Sequence, residues 1–229
     1  MVQIRPSEER GHNEISWLNT RFTFSFDQYY DPSHVQFRSL RVLNEDVVAP
    51  GKGFGMHPHR DMEILTWVLD GALQHRDSMG NVGTIRPGEL QHMSAGTGVL
   101  HSEYNASATD PVHLLQIWIL PEQRGLKPAY EQLAFADADL RNKFAHVAGP
   151  QAPLTIHQDA NLYIARLDSG VTAAQPLAKS RHAWVQVACG RIRLNGKELH
   201  ACDGASVSNE TKVQVEALAA SEVLLFDLA

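Results

Sequence analysis

The chain has 229 residues, 26 of them acidic and 20 basic, for a formal charge of −6, and its lysines and arginines nowhere form a run. Phosphate contacts need clustered positive charge, so a dedicated nucleic-acid surface is excluded. The first ten residues carry Arg5, Glu8, Glu9 and Arg10 rather than an apolar signal core, and the longest apolar stretch, near residues 113–120, is far too short to cross a bilayer. A soluble, cytoplasmic protein is expected, with Cys189 and Cys202, its only cysteines, reduced and structural. The length accommodates one large all-β domain or two smaller ones.

From residue 2 to 50 the chain runs in short apolar bursts, at 2–5, 21–26, 40–43 and 47–48, separated by glycine, proline, asparagine and aspartate. That is the pattern of antiparallel strands. The next stretch holds two matched pairs, His57 with His59 and His101 with Glu103. On a strand, side chains at i and i+2 leave the same face about 6.5 to 7 Å apart. Two such strands inside one barrel aim three imidazoles and a carboxylate at one point, a set able to hold a divalent cation. Between the pairs, Asp70-Gly71, Gly80-Asn81 and Pro87-Gly88 are turn dipeptides and residues 94–98 form a glycine-rich bend, so the segment reads as short strands at 64–69, 72–75, 82–86, 89–93 and 99–103. His75 and His92 read as ordinary polar residues on these strands.

Residues 121–153, bracketed by prolines and glycine, read as a link containing a short helix over 137–147 that Asp137 caps. Beyond it, 154–156, 162–167, 183–188 and 223–228 are strand-like, and 191–194 with 197–200 forms a hairpin through Asn195-Gly196. If Gly190 corresponds to Gly71, the turn dipeptides of the second half fall near those of the first, which points to a duplicated fold. The ligand places do not follow: the same count reaches Pro176, Ala178, Ala217 and Ala219. A slip of a few residues recovers only His182 and Glu216, too few for a site.

The run from Gly51 to Gly71, G-x5-H-x-H-x3-E-x7-G, resembles the first cupin motif, and PGELQHMSAGTGVLHSE at 87–103 resembles the second in the form used by pirins. ERGH at 9–12, TFSF at 23–26, YYDP at 29–32 and HLLQIWI at 113–119 extend the likeness. The resemblance implies a bicupin: two antiparallel β-barrel (jelly-roll) domains joined by a short helical linker, residues 1–130 holding one metal ion and residues 131–229 holding none. It places the metal on His57, His59, His101 and Glu103, and leaves Glu63, where many other cupins have their glutamate ligand, outside the set. Phe22 departs from similar bacterial proteins, which often have histidine before TFSF.

Nitrogen and oxygen donors without thiolate suit Fe(II), Mn, Co, Ni, Cu or Zn and do not choose among them; the resemblance puts iron(II) first. It implies a dioxygenase of the quercetin 2,3-dioxygenase type, a monomer acting on a small aromatic substrate and dioxygen, with Glu103 as ligand and base together. An alternative from the same resemblance is a metal-containing, redox-responsive regulator that binds a protein partner. A third is a cupin isomerase or hydrolase, which would turn over without oxygen.

Overall fold

Turn residues divide the chain into 21 strands, and paired strands run antiparallel. A computed structural model describes all 229 residues. The large sheet of the first half runs β12 (Ala129–Ala134), β9 (Glu89–Ser94), β6 (Glu63–Asp70), β11 (Val112–Ile119), β4 (Leu40–Val48), β3 (Leu18–Phe22), β2 (Gly11–Ile15). Its small sheet runs β5 (Gly53–His59), β10 (Val99–Asn105), β7 (Leu73–Asp77), β8 (Val82–Ile85). In the second half the large sheet runs β1 (Val2–Arg5), β19 (Gly204–Ser208), β16 (His182–Cys189), β21 (Ser221–Leu228), β14 (Ala160–Leu167), β13 (Ala145–Ala148). The small one runs β15 (Thr172–Pro176), β20 (Lys212–Ala217), β17 (Arg191–Leu194), β18 (Lys197–His200).

The two halves repeat one strand order, β5-β10-β7-β8 against β15-β20-β17-β18, so the architecture is duplicated and all-β. Residue 130 is not a clean boundary between them. β1, at the start of the chain, pairs with β19 in the second half, and β12 extends the first half to Ala134 beside β9. Each covers the strand edge that its sheet would otherwise present to solvent. The expected helix over 137–147 shrinks to one turn, α1 (Asp137–Leu140). It ends at Arg141, whose backbone is extended; Asn142 follows with a positive φ of 59°, and residues 145–148 join β14 as β13 instead. Residues 154–156 form no strand; Leu154 makes only a single bridge to Ala148. No helix is long and apolar enough to cross a membrane.

Alternation along the large sheets sends two sets of residues to two environments. Leu65 and Trp67 of β6 and Leu115 and Ile117 of β11 face out of the first sandwich into one core cluster with Leu162, Ile164, Leu224 and Phe226 of the second. The halves therefore share a core. Inside the second sandwich, 18 buried apolar residues fill the space, among them Val185, Val187, Val213, Val215 and Leu225. Inside the first, apolar packing is confined to two small groups, one around Val48, Val68 and Leu114 and one around Ile64 and Met93. The room between them is lined by polar and aromatic side chains together.

A buried ionic network adds to the seam between the halves. The Arg10 guanidinium donates to Glu45 Oε2 at 2.8 Å and to the Cys202 carbonyl at 2.9 Å, while the Cys202 thiol donates to Glu45 Oε1 at 3.0 Å and His113 Nε2 lies 3.0 Å from that oxygen. Burial raises the Glu45 carboxyl, but His113, Arg10 and Cys202 together hold it down to about 2. A group whose folded pKa is depressed adds stability above its ordinary value of 4.5, and that stability is lost as pH falls toward about 2. Arg10→Met leaves Glu45 buried without its cation and should cost about 3 to 5 kcal/mol at pH 7 in denaturant unfolding. The deficit should shrink between pH 4.5 and about 2 as Glu45 takes up a proton; a deficit independent of pH would show that packing, not charge, carries the effect.

Candidate metal centre

His57 and His59 leave β5 on one face, and the β5–β10 ladder sets His101 directly across from His57. Glu103 follows on β10 after a register shift, so that it stands opposite Phe54 rather than in step with His101. Gly53 makes this possible: a Cβ there would lie 2.1 Å from the Glu103 carbonyl oxygen. Any other residue at 53 would push the strands apart.

The three imidazoles converge. Their ring centroids are 4.5 to 4.7 Å apart, and His57 Nε2 lies 3.0 Å from His101 Nε2. His57 donates its Nδ1 proton to the Gly55 carbonyl at 2.7 Å, which leaves the Nε2 lone pair facing the cluster. His59 Nε2 and His101 Nδ1 are buried without a hydrogen-bond partner. Burial, with the neighbouring His57, pushes His59 down to about 4; burial, with His59, His57 and His75 around it, pushes His101 down to about 2. Both are neutral at pH 7, the state in which imidazole binds a metal.

Glu103 is buried, and burial pushes its carboxyl up to about 7, against the hydrogen bonds it receives. Gln116 Nε2 donates to its Oε2 at 3.2 Å, and the Thr66 hydroxyl lies 3.3 Å from Oε1 and 2.9 Å from Gln116 Oε1. A cation beside it would supply the charge that burial withholds and return it to carboxylate. Two buried imidazole nitrogens without partners, the inward-facing Nε2 of His57 and a carboxyl lacking a countercharge fit a divalent metal ion with nitrogen and oxygen donors.

The candidate atoms fall into two overlapping groups, His57–His59–His101 and His75–His101–Glu103, each with its members within 4.8 Å of one another. His75, read from the sequence as an ordinary strand residue, is thus part of the cluster. The β7–β10 register places it across from Glu103; its ring stacks on Tyr130 at 4.8 Å and its Nε2 lies 3.3 Å from Asp77. His92 stays outside. It binds Glu63 at 2.9 Å, and Glu63 also accepts from Ser94 and from the His157 backbone N–H, so that glutamate belongs to the seam between the halves.

A cavity opens beside the cluster, bounded by His57 and Glu103 and by the aromatic side chains of Phe22, Phe26, Phe54 and Trp118. Phe22 stacks on Tyr29, Phe26 meets Trp118 edge-on at 5.2 Å, and Trp118 meets His59 at 4.9 Å. An aromatic belt thus runs from Tyr29, of the loop after TFSF, to the histidines. In the second half, the corresponding strands β15 and β20 turn Ala173, Val213, Val215 and Ala217 into the apolar core. These inward positions carry no imidazole or carboxylate.

A family model described as Pirin matches residues 3–119, and one described as Quercetinase C-terminal cupin domain matches residues 146–228. The quercetin 2,3-dioxygenase of Escherichia coli strain K12 is 45% identical over 228 residues, spanning 100% of this chain and 99% of its own length. The crystal structure of YhhW from Escherichia coli has a TM-score of 0.96 at 45% identity, covering 100% of this chain and 98% of that one. A structure of the bacterial pirin YhhW from the same organism in complex with nickel(II) has a TM-score of 0.94 at 45% identity, covering 100% and 99%.

Elemental analysis after loading with nickel(II) should find close to one ion per chain. His57→Ala, His59→Ala and His101→Ala should each release most of it while keeping a cooperative thermal transition, because the shared core does not depend on the ion. Two ions per chain would contradict the apolar second half, and undiminished metal in all three variants would remove the cluster as the site.

Proposed function

The chain belongs to the pirin family, and we propose that it is a metal-dependent dioxygenase that opens a flavonol-like substrate, a reaction of the quercetin 2,3-dioxygenase type. The observation that carries the reading is the convergence of His57, His59 and His101, with Glu103 beside His101, next to an aromatic-lined cavity. In this reading His57, His59, His101 and Glu103 hold the ion, with iron(II) the first choice. When bound, the ion supplies a Lewis acid and a redox-active centre for dioxygen chemistry.

The chain's own residues supply the rest. Phe22, Phe26, Phe54 and Trp118 give a planar aromatic ligand faces to pack against and exclude water from the reacting end. Glu103 accepts the proton of the substrate's 3-hydroxyl, which turns the bound ring into an electron-rich enolate. Gln116 and Thr66 fix the carboxyl in place, so that it meets that proton in one orientation. His57, locked by its bond to Gly55, keeps its free nitrogen turned inward. Ring opening by dioxygen with loss of carbon monoxide then conserves both oxygen atoms in the products. Oxygen uptake with carbon monoxide release from a flavonol tests this reading; neither would be seen from a regulator that only binds a partner.

Glu103→Gln keeps a ligand oxygen but is a very poor base, so it should lose far more turnover than metal. Removal of a general base costs about 10² to 10⁴-fold in rate. Turnover per bound metal, followed from about pH 6 to 9, should show a deficit that narrows as pH rises, because flavonol ionises by itself at the alkaline end. Wild-type turnover per metal at the acid end would take Glu103 out of the proton transfer.

A further inference from the structure

The small sheet lines the cavity with His57 and Glu103, and the large sheet lines it with a second polar group that has no part in the chemistry above. Thr20 of β3 and Asp46 of β4 are direct neighbours across the ladder, and Asn44, two residues along β4, shares their face and stands across from Gln116. They are 2%, 5% and 4% exposed, and all three border the cavity. The Asn44 amide oxygen has no hydrogen-bond partner in the protein, and the Thr20 hydroxyl has none but the Asp46 carboxyl beside it. Arg10 does not serve them: its terminal nitrogens go to Glu45, to the Cys202 carbonyl and to the Arg21 carbonyl on the other face of the sheet.

Buried polar groups are normally paired, and one left unmet is destabilising. An unmet amide oxygen beside a buried hydroxyl and a buried carboxyl on one cavity wall is matched to something that enters the cavity. Two of them, an amide oxygen and a carboxylate, accept hydrogen bonds, and the threonine hydroxyl both accepts and donates. Phe22, Phe26, Phe54 and Trp118 around them suit a flat ring. The matching ligand is an aromatic ring that carries hydroxyl donors.

We propose that Thr20, Asn44 and Asp46 form a specificity wall that receives ring hydroxyls of the substrate, so that the protein selects polyhydroxylated aromatics over bare ones bearing the same reacting group. The proposal rests on the dioxygenase reading for the placement of the reacting group at the histidine cluster. It does not depend on turnover.

The test is binding without oxygen. Nickel(II)-loaded protein is titrated anaerobically with quercetin, which carries hydroxyls on both outer rings, and with 3-hydroxyflavone, which keeps the 3-hydroxy-4-keto group and lacks the others. Wild type should bind quercetin at least about tenfold more tightly, the worth of one or two satisfied buried hydrogen bonds. At unchanged nickel content, Asp46→Leu should lose about that factor for quercetin and leave 3-hydroxyflavone within about twofold. Thr20→Val, which preserves shape, should show the same asymmetry to a smaller degree and serves if Asp46→Leu folds poorly. Equal weakening of both ligands, or a wild type that does not distinguish them, overturns the wall. The same preparations loaded with iron(II) and given oxygen separate the two ideas: discrimination in binding with no oxygen uptake sinks the dioxygenase reading and leaves the wall, whereas oxygen uptake without discrimination sinks the wall and leaves the reaction.

Discussion

The central strands β4, β6 and β11 of the first half's large sheet are buried on both faces, and that constraint shapes everything built upon them. Along β4, β6 and β11, one set of alternate residues enters the core shared with the second half and the other set faces the sandwich interior. A slip of one residue in any of these strands would exchange the two sets. Leu43, Leu65 and Ile117 would turn into the cavity, and Asn44, Thr66 and Gln116 would turn into a dry seam. The seam therefore does more than join the halves. By requiring apolar residues on its side, it holds the polar row Asn44, Gln116, Thr66 at one level across three adjacent strands, where Gln116 and Thr66 reach Glu103.

Duplication explains how the first half can carry so polar an interior. A sandwich with few apolar residues inside has little burial of its own to oppose chain entropy. Here the second sandwich keeps 18 buried apolar residues in its interior, and the shared cluster of 22 lies between the halves. The first half leans on both. The second half keeps the strand order and gives up the donors, with alanine and valine on the strands that correspond to β5 and β10. The exchange of β1 and β12 at the sheet edges strengthens this dependence, since the first strand of the chain can pair only after the second half has formed.

The clustering of His57, His59 and His101, with Glu103 beside His101, was legible because i, i+2 spacing is a property of neighbouring residues. His75 was not, because its relation to Glu103 is created by the β7–β10 register, not by sequence spacing. Thr20, Asn44 and Asp46 were hidden for a different reason. In alternation, a polar residue on a strand signals a face away from the apolar core, and nothing local distinguishes bulk water from an enclosed cavity. The buried strands β6, β11 and β21 were plain from short runs of bulky apolar residues interrupted only by Thr66, Gln116 and Asp227, as expected when both faces are covered. β12 and the four-residue β13, at or beside the sheet edges, lack such runs and read as linker or helix.

The position of the glutamate shows how one scaffold supports more than one donor arrangement. Glu63 opens β6 within sequence reach of the histidine pair, yet it faces the seam, where His92, Ser94 and His157 hold it and keep its carboxyl at about 2 despite burial. Turning it toward His57 would strip those partners from a buried charge and take from His92, itself fully enclosed, one of its two carboxylate partners. Glu103 has the opposite setting. It meets amide and hydroxyl groups, none of them cationic, and so its charge is stabilised only when a cation sits beside it. Of the two glutamates, the one left without a protein cation is the one whose chemistry a metal can complete, and the shift of register after His101 together with the bare backbone of Gly53 is what brings it into the cavity.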